Sequence, residues 1–153
     1  LLIGGGGHCR ACIDVLEQEG KFQIAGIVEQ AEASTELVLG YPVLGTDDDL
    51  PQLFEQFKYA LVTVGQIKSS VARKYIYEQL RKLNFTLPTV ISPRAYVSAH
   101  AKLGLGTIIM HDALINAGAK IGDNCILNSK SLIEHDVLIG DHCHIYLAML
   151  HSG

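Results

Sequence analysis

From Ile91 onward an aliphatic residue falls at every sixth position: Ile91, Val97, Leu103, Ile109, Ile115, Ile121, Leu127, Ile133, Ile139 and Ile145. Four residues after each stands a second series, nearly all small: Ala95, Ala101, Thr107, Ala113, Ala119, Cys125, Ser131, Val137 and Cys143. The residue directly after the aliphatic is often a turn former, as at Ser92, Ser98, Gly104, Asn116, Gly122, Asn128 and Gly140. Helices repeat at about 3.6 residues and ordinary strands at 2, so neither explains a period of six. A chain that turns a corner every six residues, and closes a three-sided rung about every eighteen, does explain it. The aliphatics then stack inside the prism, and the small residues face inward where two sides converge and no bulk fits. The pattern predicts a hexapeptide parallel β-helix, a quasi-one-dimensional solenoid. An antiparallel β-domain would instead show period-2 alternation and irregular turn spacing.

The repeat stops at about residue 89, and a different pattern occupies residues 1–88. Residues 1–3 read as a strand that opens on GGGGH (residues 4–8). Residues 9–19 are expected to be helical, with Cys12, Ile13, Val15 and Leu16 forming a buried stripe and Gly20 stopping the helix. Residues 22–29 read as a second strand and residues 47–57, opening on aspartates, as a second helix. YALVTVG (residues 59–65) is a continuous apolar run of the kind buried on both faces, and residues 69–83 read as a long helix closed by Asn84. Strands alternating with helices predict a Rossmann-like α/β unit with a small parallel sheet. The expected organisation is therefore an α/β domain at 1–88 and a β-helix at 89–153.

Composition narrows the function classes. At 48% hydrophobic and 18% charged, a 153-residue chain can bury a core and is not a disordered segment. A formal charge of −4 with no basic run argues against nucleic acid as a partner. No apolar stretch approaches the roughly 18 residues of a membrane span, and no signal-peptide pattern is present. The four cysteines, Cys9, Cys12, Cys125 and Cys143, do not form a disulfide framework, so a reducing cytoplasm is the expected setting. The chain opens mid-strand with no initiator Met, so a residue or two is expected to be missing there. Ile108, Leu114, Ile126, Leu132 and Leu138 precede the inward aliphatics and should point outward. Such a row of exposed aliphatics calls for a partner, most simply a closed homotrimer.

A β-helix rung needs only aliphatic and small residues, so the cluster Glu134, His135, Asp136, Asp141, His142 and His144 requires another reason. Imidazole accepts a proton near neutral pH, and an adjacent carboxylate raises its basicity and fixes its tautomer. Solvated corner residues are the plain alternative. GGGGH between a strand and a helix is an anion site, since glycine lets the backbone approach a phosphate and a helix N-terminus favours negative charge. It is a poor dinucleotide fingerprint, because the third glycine of GxGxxG would fall at Cys9.

The run LINAGAKIGDNCILNSKSLIEHDVLIGDHCHI (residues 114–145) resembles the left-handed β-helix acyltransferases that modify bacterial sugars. More narrowly, it resembles the family of UDP-4-amino-sugar N-acetyltransferases and sialic acid O-acetyltransferases. The glycine-rich first half, with His8 ending GGGGH, is similar to that family too, so the resemblance spans the whole chain. It implies His135 of the I-E-H-[DE] box as general base and Asp136 as the carboxylate that polarises it, in a position where glutamate is frequent. It implies His144 beside the thioester of acetyl-CoA, the co-substrate, with no metal and no acyl-enzyme. It implies a UDP-amino-sugar or sialic acid as acceptor, with Gly6, Gly7 and His8 near the diphosphate or sugar and Glu29 near the nucleoside. Gly65 and Gln66 would complete the pocket, although relatives often carry Asn or Asp at the position of Gln66. The implied reaction is acetyl transfer to an amino or hydroxyl group of the sugar, in surface-glycan synthesis.

Other readings stay open at this level. Cys9 and Cys12 form a C-x-x-C, which suits a redox pair or simply two small buried residues. His111, His135, His142, His144 and His151 invite comparison with gamma-class carbonic anhydrases, which hold a metal on the same scaffold but lack such an α/β half. The segment 146–153 breaks the repeat: Met149 stands at a small inward position and His151 at an aliphatic one. Further coils are expected beyond Gly153, and a non-catalytic nucleotide-sugar-binding remnant is the alternative to an enzyme.

Overall fold

A computed structural model describes residues 1–30, 36–66, 69–146 and the backbone of 149–150. The chain divides between Pro88 and Thr89 into two compact units.

The first unit is built on β1 (Leu2–Ile3), α1 (Gly7–Glu19), β2 (Ile27–Val28), β3 (Leu37–Val38), β4 (Tyr41–Gly45), α2 (Leu50–Gln56), β5 (Leu61–Val62) and α3 (Val71–Lys82). The sheet runs in the order β3-β4-β2-β1-β5. β1, β2, β4 and β5 are parallel, and both β1 and β5 are buried on each face as their apolar runs require. Ile3, Val28, Val62, Leu50 and Leu80 meet in the core, with Phe54 and Phe85 edge to face at 4.9 Å between centroids. Gly20 closes α1 at φ +67, its N–H donating to the Leu16 carbonyl. Ahead of α2, a 3-10 turn at Asp47–Asp49 is opened by a Thr46–Asp49 capping box. Asn84 follows α3 at φ +64.

Two expectations for this unit need correction. The sheet is not wholly parallel, because β3 pairs antiparallel with β4 through the two-residue turn Leu39-Gly40, both at positive φ. The strands expected over 22–29 and 59–65 are each only two residues long, β2 and β5.

The second unit is a coil of two-residue strands: β6 (Val90–Ile91), β7 (Tyr96–Val97), β8 (Lys102–Leu103), β9 (Ile108–Ile109), β10 (Leu114–Ile115), β11 (Lys120–Ile121), β12 (Ile126–Leu127), β13 (Leu132–Ile133), β14 (Leu138–Ile139), β15 (His144–Ile145) and β16 (Met149–Leu150). They form three parallel sheets, β6-β9-β12-β15, β7-β10-β13-β16 and β8-β11-β14. Each strand pairs with the one three strands later, so Ile115 lies opposite Ile133 and Ile121 opposite Ile139. Ile109, Ile115, Ile121, Leu127, Ile133 and Ile139 are buried with Ala113, Ala119, Cys125 and Val137 in one core, against which Ile91, Val97, Leu103, Ile145 and Cys143 pack. Burying each aliphatic contributes about 1.5–3 kcal/mol.

The corners fall elsewhere than expected. Gly106, Asp112, Gly118, Asn124, Lys130, Asp136 and His142 all have φ between +52 and +76, six residues apart. The left-handed residue thus comes three positions after the inward aliphatic, not one. The outward aliphatics do not form one exposed row either. Eighteen-residue pairing puts Ile108 and Ile126 on one sheet, Leu114 and Leu132 on a second and Leu138 on a third. Ile108 and Ile126 are buried, whereas Leu114 and Leu138 are exposed. β16 pairs with β13 so that Leu150, not His151, lies opposite Ile133, and Met149 lies opposite the outward Leu132. The coil therefore takes seventeen residues in this step; His151 lies outside the described residues.

Candidate functional site

The parallel strands of the first unit end together at the glycine loop. β2 lies on one side of β1 and β5 on the other, the strand-order reversal at which ligands bind open α/β sheets. Gly4 leaves β1 at φ +103 with Val64 packed against its α-carbon, and Thr63 Oγ1 donates to its carbonyl at 2.7 Å. The Glu29 carboxylate, at the end of β2, accepts the backbone N–H of Gly5 through Oε2 and that of Gln30 through Oε1. Glu29 is therefore the clamp of the loop: its two oxygens are engaged by main-chain amides. Gly6 is the N-cap of α1, with no side-chain cap and no acidic residue in the first turn. Among the described residues, the first-turn amides consequently have no side-chain anion of their own, and none lies within 4 Å of where a Cβ would stand on Gly6 or Gly7. Gly65, after β5, approaches His8 so closely that a Cβ there would lie 3.2 Å from the His8 Cβ. Of the expected residues, Gly6, Gly7, His8, Glu29 and Gly65 meet at this edge, with Gln66 next in the chain.

Beneath the loop lies a layer that the sequence did not announce. Arg73 on α3 is buried and donates to the Val64 carbonyl at 2.6 Å, fixing the exit of β5. Cys12, one turn along α1, places its Sγ 3.3 Å from His8 Nε2. Burial pushes the Cys9 and Cys12 thiols up from their ordinary values. All four cysteines are free.

On the coil, His135 and Asp136 follow β13. Asp136 occupies a left-handed corner at φ +60, a conformation that a short polar side chain tolerates. Its Oδ2 lies 2.9 Å from His135 Nδ1, and both side chains are largely exposed. With the proton on Nδ1 donated to the carboxylate, the lone pair sits on Nε2. Glu134 turns the other way and accepts from Asn116 Nδ2 at 2.9 Å, one rung below. His144 belongs to β15 on another sheet, its ring stacked on Tyr146 at 4.1 Å between centroids. Of the remaining histidines, His111 Nδ1 lies 2.7 Å from Ser92 Oγ and His142 Nδ1 lies 3.0 Å from Asn124 Nδ2. Among the described residues, no three His, Cys, Asp or Glu side chains gather as a metal centre.

Comparison with known proteins decides the family. The PglD N-terminal domain family matches residues 1–80. PerB from Caulobacter crescentus, solved with CoA and GDP-perosamine, superposes with a TM-score of 0.85 at 36% identity, covering 94% of this chain and 66% of its own. The acetyltransferase domain of PglB from Neisseria gonorrhoeae FA1090 gives 0.81 at 32% identity, covering 94% and 68% respectively. This chain belongs to the PglD family of hexapeptide-repeat sugar acetyltransferases. A second structure of the Neisseria domain holds acetyl coenzyme A. WeeI from Acinetobacter baumannii AYE, at 22% identity and a TM-score of 0.79, shares the fold. As a member of the PglD family, the chain spans about two thirds of the length of these relatives. No curated protein matches it significantly. No helix among the described residues is long and apolar enough to cross a membrane.

Proposed function

We propose that this protein transfers an acetyl group from acetyl-CoA to the amino group of a nucleotide-linked sugar. The observation that carries the reading is the His135–Asp136 pair, held at 2.9 Å on the coil of a chain whose relatives were solved with CoA and a nucleotide amino sugar. Asp136 orients His135 and keeps the proton on Nδ1; Nε2 takes a proton from the sugar amine as its nitrogen attacks the thioester carbonyl. The N–C bond forms, a backbone N–H steadies the oxyanion, the C–S bond breaks, and the proton passes to the departing CoA sulfur. His144 lines the thioester side. Gly6, Gly7, His8, Gly65 and Gln66 receive the diphosphate and sugar, with Glu29 holding the loop in shape. The relative's GDP-perosamine makes the nucleotide base an open variable, so UDP- and GDP-linked sugars are both candidates.

The coil in this reading is left-handed and assembles as a homotrimer that brings His135 and His144 of different protomers to one cleft. The setting is the cytoplasm, with thiols reduced. The test is a mass-shift assay of the complete protein with acetyl-CoA and a panel of UDP- and GDP-linked amino sugars. His135→Ala should lower turnover by at least about a hundredfold while calorimetry finds nucleotide-sugar affinity unchanged. Full turnover by that variant would remove His135 as the base.

A further inference from the structure

His8 and Cys12 sit four residues apart on one face of α1, where side chains meet across a helical turn. The Cys12 sulfur, 3.3 Å from Nε2, fixes the ring, on a side chain whose Cβ lies where Gly65 leaves no room for a side chain of its own. Cys12 is fully buried, and His8 half so. The direction of the contact follows from donor and acceptor strength: imidazole nitrogen is a good acceptor, and a neutral thiol sulfur is a poor one. Burial holds the thiol proton in place, so the S–H has it to give.

We propose that Cys12 is a positioning residue for nucleotide-sugar binding: its S–H donates to His8 Nε2 and fixes the neutral ring with its proton on Nδ1. His8 then offers a side-chain N–H beside the amides that open α1, the polarity that suits an anionic diphosphate or a sugar oxygen. This inference rests on His8 contacting the ligand, as in the function proposed above. It gives the C-x-x-C pair an asymmetric use: Cys12 orients a ring, and neither thiol needs to exchange electrons.

The experiment combines 15N NMR of the His8 ring in the ligand-free complete protein with steady-state kinetics of wild type, Cys12→Ala and Cys12→Ser. Wild type should show the Nδ1–H tautomer. Cys12→Ala should lose that preference and raise KM for the nucleotide sugar about three- to tenfold, the worth of one ordinary hydrogen bond, with kcat unchanged. Cys12→Ser, whose hydroxyl also donates, should restore both readings. An Nε2–H ring in wild type would overturn the proposal. So would an unaltered KM in Cys12→Ala, or a serine variant that behaves like alanine. Those results leave the acetyl-transfer reading intact, whereas a wild-type protein that binds no nucleotide sugar removes that reading and this role with it.

Discussion

Within the glycine loop, neighbouring residues of one type carry different burdens. Gly4 cannot take a side chain, since its φ of +103 and the packed Val64 both exclude a Cβ, whereas no described residue crowds a Cβ on Gly6, at φ −71. Gly4→Ala should therefore destabilise the protein by about 2 kcal/mol or more in urea unfolding. Gly6→Val should leave the urea midpoint nearly in place and weaken nucleotide binding in calorimetry; unchanged UDP and GDP-sugar affinity would reject the loop as the phosphate site. The buried thiols set a pH dependence. Burial, its largest cause, pushes Cys125 up from 9.0 to about 11, and Cys9 and Cys12 also lie above their ordinary values. The unfolded chain releases these protons first, so the thiols' contribution to stability is constant below pH 9.0 and falls as pH rises from there, toward about 11 for Cys125. Cys125→Ala should make that decline shallower in pH-resolved melting curves. At this scale, the His135–Asp136 contact was legible because adjacency in the chain guarantees nearness. The engagement of Glu29 was not, since its partners are the main-chain amides of Gly5 and Gln30, which no residue letter records.

Secondary elements in the coil are two residues long, so the corners, more than strand propensity, define it. Asp and Asn at Asp112, Asn124 and Asp136 suit a left-handed backbone, but Lys130 at φ +63 adopts it at a cost of about 1–2 kcal/mol. Lys130→Gly should accordingly raise unfolding stability by about 1 kcal/mol. The same change at Lys102, within β8, should lower it by about 0.5–1 kcal/mol. The inward aliphatics were readable because every one is branched and large. The corner position was misplaced because Lys130 and His142 carry no turn signal, whereas Gly104, Asn116 and Gly122 carry one without bending left-handed. The β3–β4 hairpin was missed for a related reason: Leu39 occupies the turn position that Asn or Asp normally announces.

For the molecule as a whole, the α/β unit and the coil have separate cores, Ile3, Val28 and Val62 in one and Ile115, Leu127 and Ile133 in the other. In the proposed division of labour, hydrogen exchange followed by mass spectrometry should show a nucleotide sugar slowing amides around residues 4–12 and 61–66. Acetyl-CoA should slow those of the coil near His144 instead. Protection reversed between the two ligands would refute that division. The coil has a further consequence. In each hexad the aliphatic and the small residue are committed to the inner track, while His135, Asp136, His142 and Asp112 ride on the outer one. Acceptor and donor preference can thus be rewritten along the outside of the chain by substitutions that leave the inner text unread, a latitude that lets one scaffold diversify its chemistry at little cost to its architecture.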